Sequence, residues 1–126
     1  MARNSTERVT VLKHQSIGVA ELVEFPARTD AAVAPEAREE IKELLQSGRA
    51  RMIIDLTRVR FIDSSGLSVL VTAHKAVASA NGEVVLLGPT PEVRSLLELT
   101  RLHRLFRVFE TVESAVAGLA VKSASA

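Results

Sequence analysis

The run Met52-Ile53-Ile54-Asp55-Leu56 restricts this chain more than any other feature. A strand with one face in water alternates apolar and polar residues, whereas an almost unbroken apolar run belongs to a strand covered on both faces. Such strands lie inside parallel sheets, and parallel neighbours need long crossover connections, usually helices. The chain must therefore supply helices on either side of this run.

Both helices are visible as patterns. Ala37, Ile41, Leu44 and Leu45 recur at helical spacing while Glu36, Arg38, Glu39, Lys42 and Glu43 fill the other face, predicting a helix entered after Asp30 through Pro35 and ending near Gly48. Downstream, Leu67, Leu70, Val71, His74 and Val77 predict a second helix that stops near Asn81-Gly82. Val84-Val85-Leu86-Leu87 reads as another buried strand, and Pro91-Glu92 opens a third helix with Val93, Leu96 and Leu97 on one side. Phe106 to Phe109 fits a last edge strand, and Val112, Val116 and Leu119 a closing helix. Upstream, Val9 to Glu24 reads as a β-hairpin, its second strand ended by Pro26, which lacks a ladder donor. The order β-β-α-β-α-β-α-β-α predicts an α/β fold: one mixed sheet of about five strands with about four helices packed on it. At 126 residues the chain fits a single domain, 1–126, with its core over about 9–119 and flexible ends at 1–8 and 122–126.

Composition removes several classes of function. Sixteen Lys and Arg against fifteen Asp and Glu leave a formal charge of +1, so no strong field draws the molecule to nucleic acid or anionic lipid. Trp and Tyr are absent and Phe25, Phe61, Phe106 and Phe109 are the aromatics, which leaves no stacking platform for single strands. Without cysteine there is no disulfide framework, thiolate catalysis or cysteine-ligated metal. No apolar run approaches the roughly 18 residues that span a bilayer, and Met1 to Arg8 is polar with no apolar stretch behind it. The expectation is a soluble cytoplasmic domain, with no direct contact to nucleic acid or membrane. Phosphate-cradling and dinucleotide glycine patterns are missing, as is clustered His and carboxylate spacing for a metal, so neither cofactor nor metal is expected. Ser64 and Ser65 lack the G-x-S-x-G elbow of a hydrolase nucleophile. His74 lies on the apolar face of its helix and reads as a hydrogen-bonded core or boundary residue, while His103 sits among Arg101, Arg104 and Arg107 on a solvated basic face.

The informative segment is Phe61-Ile62-Asp63-Ser64-Ser65-Gly66-Leu67, where a helix begins after the strand. One reading is purely structural: Asp63 or Ser64 caps the helix by accepting from a first-turn N–H, worth about 1 kcal/mol, and Gly66 allows close backbone packing. The other is a phosphate site. Partial positive charge at a helix start favours the roughly −1.5 to −2 charges of phosphoserine, while Asp63 beside it opposes them. The residues alone leave both readings open.

The stretch Met52-Ile53-Ile54-Asp55-Leu56 with Phe61-Ile62-Asp63-Ser64-Ser65-Gly66-Leu67 resembles the signature of STAS domains, the sulfate-transporter and anti-sigma-factor-antagonist family. The resemblance extends through Asn81-Gly82-Glu83-Val84-Val85-Leu86-Leu87-Gly88, a turn and strand, and Pro91 to Thr100, a third helix, to Leu102 and Leu105-Phe106, covering about Val9 to Leu119. It implies an anti-sigma factor antagonist without catalysis of its own. Such a protein binds an anti-sigma factor serine kinase of the histidine-kinase-like ATPase type and releases its sigma factor. Phosphorylation of the first serine of the motif, here Ser64, switches it off until a serine phosphatase reverses the change. The partner-binding residues so implied are Asp30, Asp63, Ser64, Ser65, Gly66 and Leu67. One turn departs from the family: Gly-x-Leu/Ile-Asp is replaced by Ala27-Arg28-Thr29-Asp30, which keeps the aspartate. Asp30 reads equally as a partner contact or as a charge or cap for the helix entered through Pro35. The alternatives to the antagonist are a scaffold or transporter-accessory domain without a phosphorylation cycle, and a hydrolase built on Ser64 or Ser65 with a histidine base.

Overall fold

The central run does become the middle of a sheet. In the computed structural model, which describes residues 10–120, strands β1 (Lys13–Ile17), β2 (Ala20–Glu24), β4 (Arg51–Asp55), β6 (Glu83–Leu87) and β7 (Val108–Phe109) form a five-stranded sheet in the order β1-β2-β4-β6-β7. A two-stranded ladder of β3 (Arg28–Thr29) and β5 (Phe61–Ile62) stands apart from it. β1 and β2 are antiparallel and every other pair in the main sheet is parallel, with Ile54 of β4 in register with Val23 of β2 and Leu86 of β6. Helices α1 (Ala34–Gln46), α2 (Ser64–Ser79), α3 (Pro91–Leu99) and α4 (Val112–Ala120) complete the fold. The predicted α/β class, about five strands and about four helices, is the architecture found. The ends expected to be flexible, 1–8 and 122–126, lie outside the described residues.

The near-continuous apolar strands have the predicted cause. Met52, Ile54, Val84 and Leu86 face one layer, packing with Ala37 and Ile41 of α1 and Leu70 and Ala73 of α2. Ile53, Val85 and Leu87 face the other layer, with Ala115 and Leu119 of α4. Met52, Ile53 and Ile54 are wholly excluded from solvent, and a buried side chain of this size contributes about 2 kcal/mol.

Three local expectations are corrected. Val11 and Leu12 are not part of the hairpin; β1 begins at Lys13 and its residues are mostly exposed and polar. That suits an edge strand, where polar and charged side chains discourage pairing with another chain. The amides of Val11 and Leu12 instead donate to the two carboxylate oxygens of Glu40, each at 2.9 Å. Glu40 is buried on the apolar side of α1, spaced three residues after Ala37 and four before Leu44. Removing its carboxylate strips two enclosed amides of their acceptors, at about 1 to 3 kcal/mol for each buried group. Glu40→Ala is therefore expected to lower unfolding free energy by about 3 kcal/mol in urea titration, with Glu40→Gln intermediate because it retains one acceptor. A loss below about 1 kcal/mol would contradict this anchoring role.

The second correction concerns the basic face. Arg101, His103 and Arg104 are exposed, but Arg107 donates through Nε and Nη2 to both oxygens of Glu83, at 2.8 and 2.7 Å, and to the Gly118 carbonyl at 2.8 Å. The hydrogen bond that Arg107 donates to Glu83, with the charge of that carboxylate, raises the guanidinium pKa against the opposing effect of burial. The pairing contribution of a base so raised is full below its ordinary pKa and is lost as pH rises through the higher folded-state pKa, so it is constant across the neutral range. Third, His74 is packed rather than hydrogen-bonded among the described residues: its ring meets Phe106 edge-on, centroids 5.6 Å apart.

Candidate functional site at the start of helix α2

Because parallel strands all end at one side of the sheet, the helices that follow them begin there too. At that side β5 delivers the chain into α2, and Asp63 takes the N-cap position in extended conformation. Its Oδ1 accepts from the Gly66 amide at 2.9 Å and its main-chain oxygen accepts from the Leu67 amide at 2.9 Å. The cap is thus Asp63, not Ser64. Its other oxygen, Oδ2, accepts from the Ala31 amide at 3.3 Å. One carboxylate therefore closes the helix start and ties it to the loop between β3 and α1.

Ser64 is the first residue of α2 and is exposed. Its hydroxyl has no hydrogen-bond partner among the described residues. Ser65 is half-buried, and its carbonyl accepts from Ser68 Oγ at 2.6 Å, which in turn accepts from Arg38 Nη1 at 2.9 Å. Gly66 and Leu67 are buried. A Cβ on Gly66 would fall inside the Thr29 carbonyl oxygen and 2.6 Å from Ile62 Cγ1. Of the residues implied by the motif, then, Asp63, Ser64 and Ser65 reach solvent, while Gly66 and Leu67 set the position of the helix.

Asp30 belongs to the same region but does not cap α1, whose N-cap is Val33, with no side-chain bond. Its Oδ1 accepts from the Ala32 amide at 3.0 Å and its carbonyl accepts from Val33 and Ala34, forming a turn before the helix. Its Oδ2 pairs with Arg28 Nε at 2.8 Å. Arg28 in turn lies over the ring of Phe61, 4.2 Å from the centroid. Neither Arg28 nor Phe61 stands out in the sequence as a site residue. The available signal was the apolar pair Phe61-Ile62 immediately before the motif, too short to show a period.

The remaining chemistry is sparse. His14 Nδ1 lies 2.6 Å from Glu21 Oε2, His103 Nδ1 lies 3.3 Å from the Leu97 carbonyl and His74 packs on Phe106, so none of the three is engaged with Ser64 or Ser65. No group of three or more His, Asp or Glu among the described residues is arranged to hold a metal ion. No described helix is long and apolar enough to cross a membrane. An open cleft of about 760 Å³ includes Thr57, Arg58, Arg60 and Thr90, but most of its polar groups are spent internally. Thr57 bonds Asp55, Arg58 pairs with Glu24, and Thr90 donates to the Val59 carbonyl.

An apolar two-faced strand leading into a capped helix with an exposed serine at its first position, all on a mixed five-stranded sheet, defines a recognisable class. The family model for the STAS domain matches residues 9–115, and the chain belongs to the STAS domain family. An anti-sigma-B factor antagonist of Listeria monocytogenes is 36% identical over 73 residues, which are 58% of this chain and 64% of that protein. The chain thus spans a little under two thirds of that relative's length. Among solved structures, an anti-sigma-factor antagonist (STAS) domain protein from Planctomyces limnophilus superposes with a TM-score of 0.79 at 20% identity, covering 87% of this chain and 98% of that one. The Bacillus cell fate determinant SpoIIAA in its phosphorylated form gives a TM-score of 0.68 at 19% identity, covering 84% and 96%.

Proposed function

We propose that this protein is an anti-sigma factor antagonist that docks on an anti-sigma factor serine kinase of the histidine-kinase-like ATPase type, releases the sigma factor held by that kinase, and is switched off by phosphorylation of Ser64. The observation that carries the reading is the exposed, unengaged Ser64 hydroxyl at the start of α2, beside the Asp63 cap and the Asp30 turn. Support also comes from the antagonist relatives and from a structural neighbour whose phosphorylated form is known. The protein supplies a hydroxyl and a docking face, and its partners supply the catalysis: the kinase transfers phosphate from ATP to Ser64 Oγ, and a serine phosphatase removes it by hydrolysis. Asp30, Asp63, Ser64 and Ser65 form the contact face, positioned from beneath by Gly66 and Leu67.

Incubation with such a kinase and ATP is expected to place one phosphate on the wild-type protein and none on Ser64→Ala, read by intact-mass and peptide spectrometry. In the same mixture, unphosphorylated protein should displace the sigma factor from the kinase and the phosphorylated protein should not. Labelling elsewhere than Ser64, or sigma release that ignores the state of Ser64, would overturn the reading and favour a scaffold role.

A further inference from the structure

We infer that Phe61, with Arg28 stacked on its ring, is the anchor of the kinase-docking face and enters an apolar pocket of the kinase. This inference rests on the function proposed above and names the chemistry of its partner.

Among the described residues Phe61 is one of four large apolar side chains open to solvent, at 42%, even with a guanidinium over its ring. It occupies β5, paired with β3, so its backbone is fixed by the ladder in which Phe61 is opposite Arg28. The Arg60 and Phe61 amides both donate to the Ala27 carbonyl, at 2.8 and 3.1 Å. Gly66 locks the start of α2 against Thr29 of the same ladder. Phe61 and Ser64 therefore belong to one rigid unit.

Contacts connect the pair to the serine. Arg28 touches the Phe61 ring and Asp30, and Asp63, next to Ser64, holds the Ala31 amide of the same loop. Three residues of chain span at most about 11 Å, whereas a standard interface of about 800 Å² per partner has a radius of about 16 Å. A partner that centres on the Ser64 hydroxyl thus extends across Phe61. Exposed aromatic and arginine side chains held in place before binding are the groups that carry most interface energy, because little conformational freedom remains to be lost.

Arg28 is 69% exposed, and its pairing with Asp30 holds the guanidinium over the Phe61 ring.

Calorimetric titration of the protein into an anti-sigma factor kinase that phosphorylates Ser64 tests the inference. Phe61→Ala is expected to weaken binding by about thirtyfold or more and Phe61→Leu, which keeps apolar volume on the ladder, by roughly tenfold. Arg28→Ala, which takes the guanidinium off the ring, should weaken it roughly fivefold. Thermal melts of the variants verify that each is folded. Folded Phe61 and Arg28 variants that bind within about threefold of wild type, while Ser64→Asp binds at least about tenfold more weakly, would overturn the anchor and leave the proposed function intact. A wild-type protein that neither binds nor is phosphorylated would overturn both.

Discussion

Adding one methyl group at residue 66 is expected to destabilise the fold by about 3 kcal/mol, the sum of overpacking and backbone displacement against an intrinsic gain. Helix propensity alone gives the opposite sign, since Gly to Ala within a helix gains about 1 kcal/mol. The steric effect decides the outcome. The new Cβ would overlap the Thr29 carbonyl oxygen and lie 2.6 Å from Ile62 Cγ1. A flexible side chain could move aside, but Thr29 cannot do so cheaply. It is wholly buried, its hydroxyl donates to the Pro26 carbonyl at 2.9 Å, and its backbone belongs to the β3–β5 ladder. Relief therefore requires the ladder and α2 to separate, which strains the Asp63–Ala31 bond as well. Gly66→Ala should lower the melting temperature by roughly 12 °C. Ser64→Ala, at an exposed helix position, should leave it within about 2 °C. A Gly66→Ala protein as stable as wild type would show that the ladder can yield.

The elements with long, regular patterns were legible from residue types alone. Met52 to Leu56 and Val84 to Leu87 announced central strands because both of their faces are covered, and the spacing from Leu67 to Val77 announced α2 because Leu67, Leu70 and Val77 face one layer. Legibility failed where structure is fixed by single contacts. The two-residue strands β3 and β5 are shorter than any period, and each exists because the other supplies its pairing partner. β1 is polar, so its strand character comes from β2 and not from its own alternation. Glu40 and Arg107 carry charges at positions whose burial is compensated by groups distant in sequence, Val11 and Leu12 for one and Glu83 for the other. At the candidate site the motif marked Asp63, Ser64 and Gly66, which lie together at the helix start. It did not locate Arg28 and Phe61, which meet only after the ladder has formed. For Asp30 the cap reading fails, since its side chain organises a turn ahead of α1 and holds Arg28.

Phosphorylation of Ser64 is expected to leave the isolated protein nearly as stable as before while reducing its affinity for the kinase about a thousandfold, equivalent to about 4 kcal/mol. The two effects separate because the site meets different surroundings in each state. In the free protein the added dianion extends into water from the first residue of α2. There the helix start favours it by about 0.3 to 1 kcal/mol, while repulsion from the neighbouring Asp63 is damped by solvent and salt. These contributions nearly cancel. In the proposed complex, water would be excluded, the phosphate would lose hydration, and its repulsion from Asp63 would no longer be screened. The balance then turns strongly against docking. Ser64→Asp carries one charge on a shorter side chain and should give a smaller loss, roughly tenfold to a hundredfold, whereas Ser64→Ala should bind within about threefold of wild type. Melting curves of the phosphorylated protein, paired with calorimetric affinities, separate the two quantities. A phosphorylated protein destabilised by about 3 kcal/mol would place the switch in the fold rather than at the interface. Undiminished affinity of that protein for the kinase would remove the switch altogether.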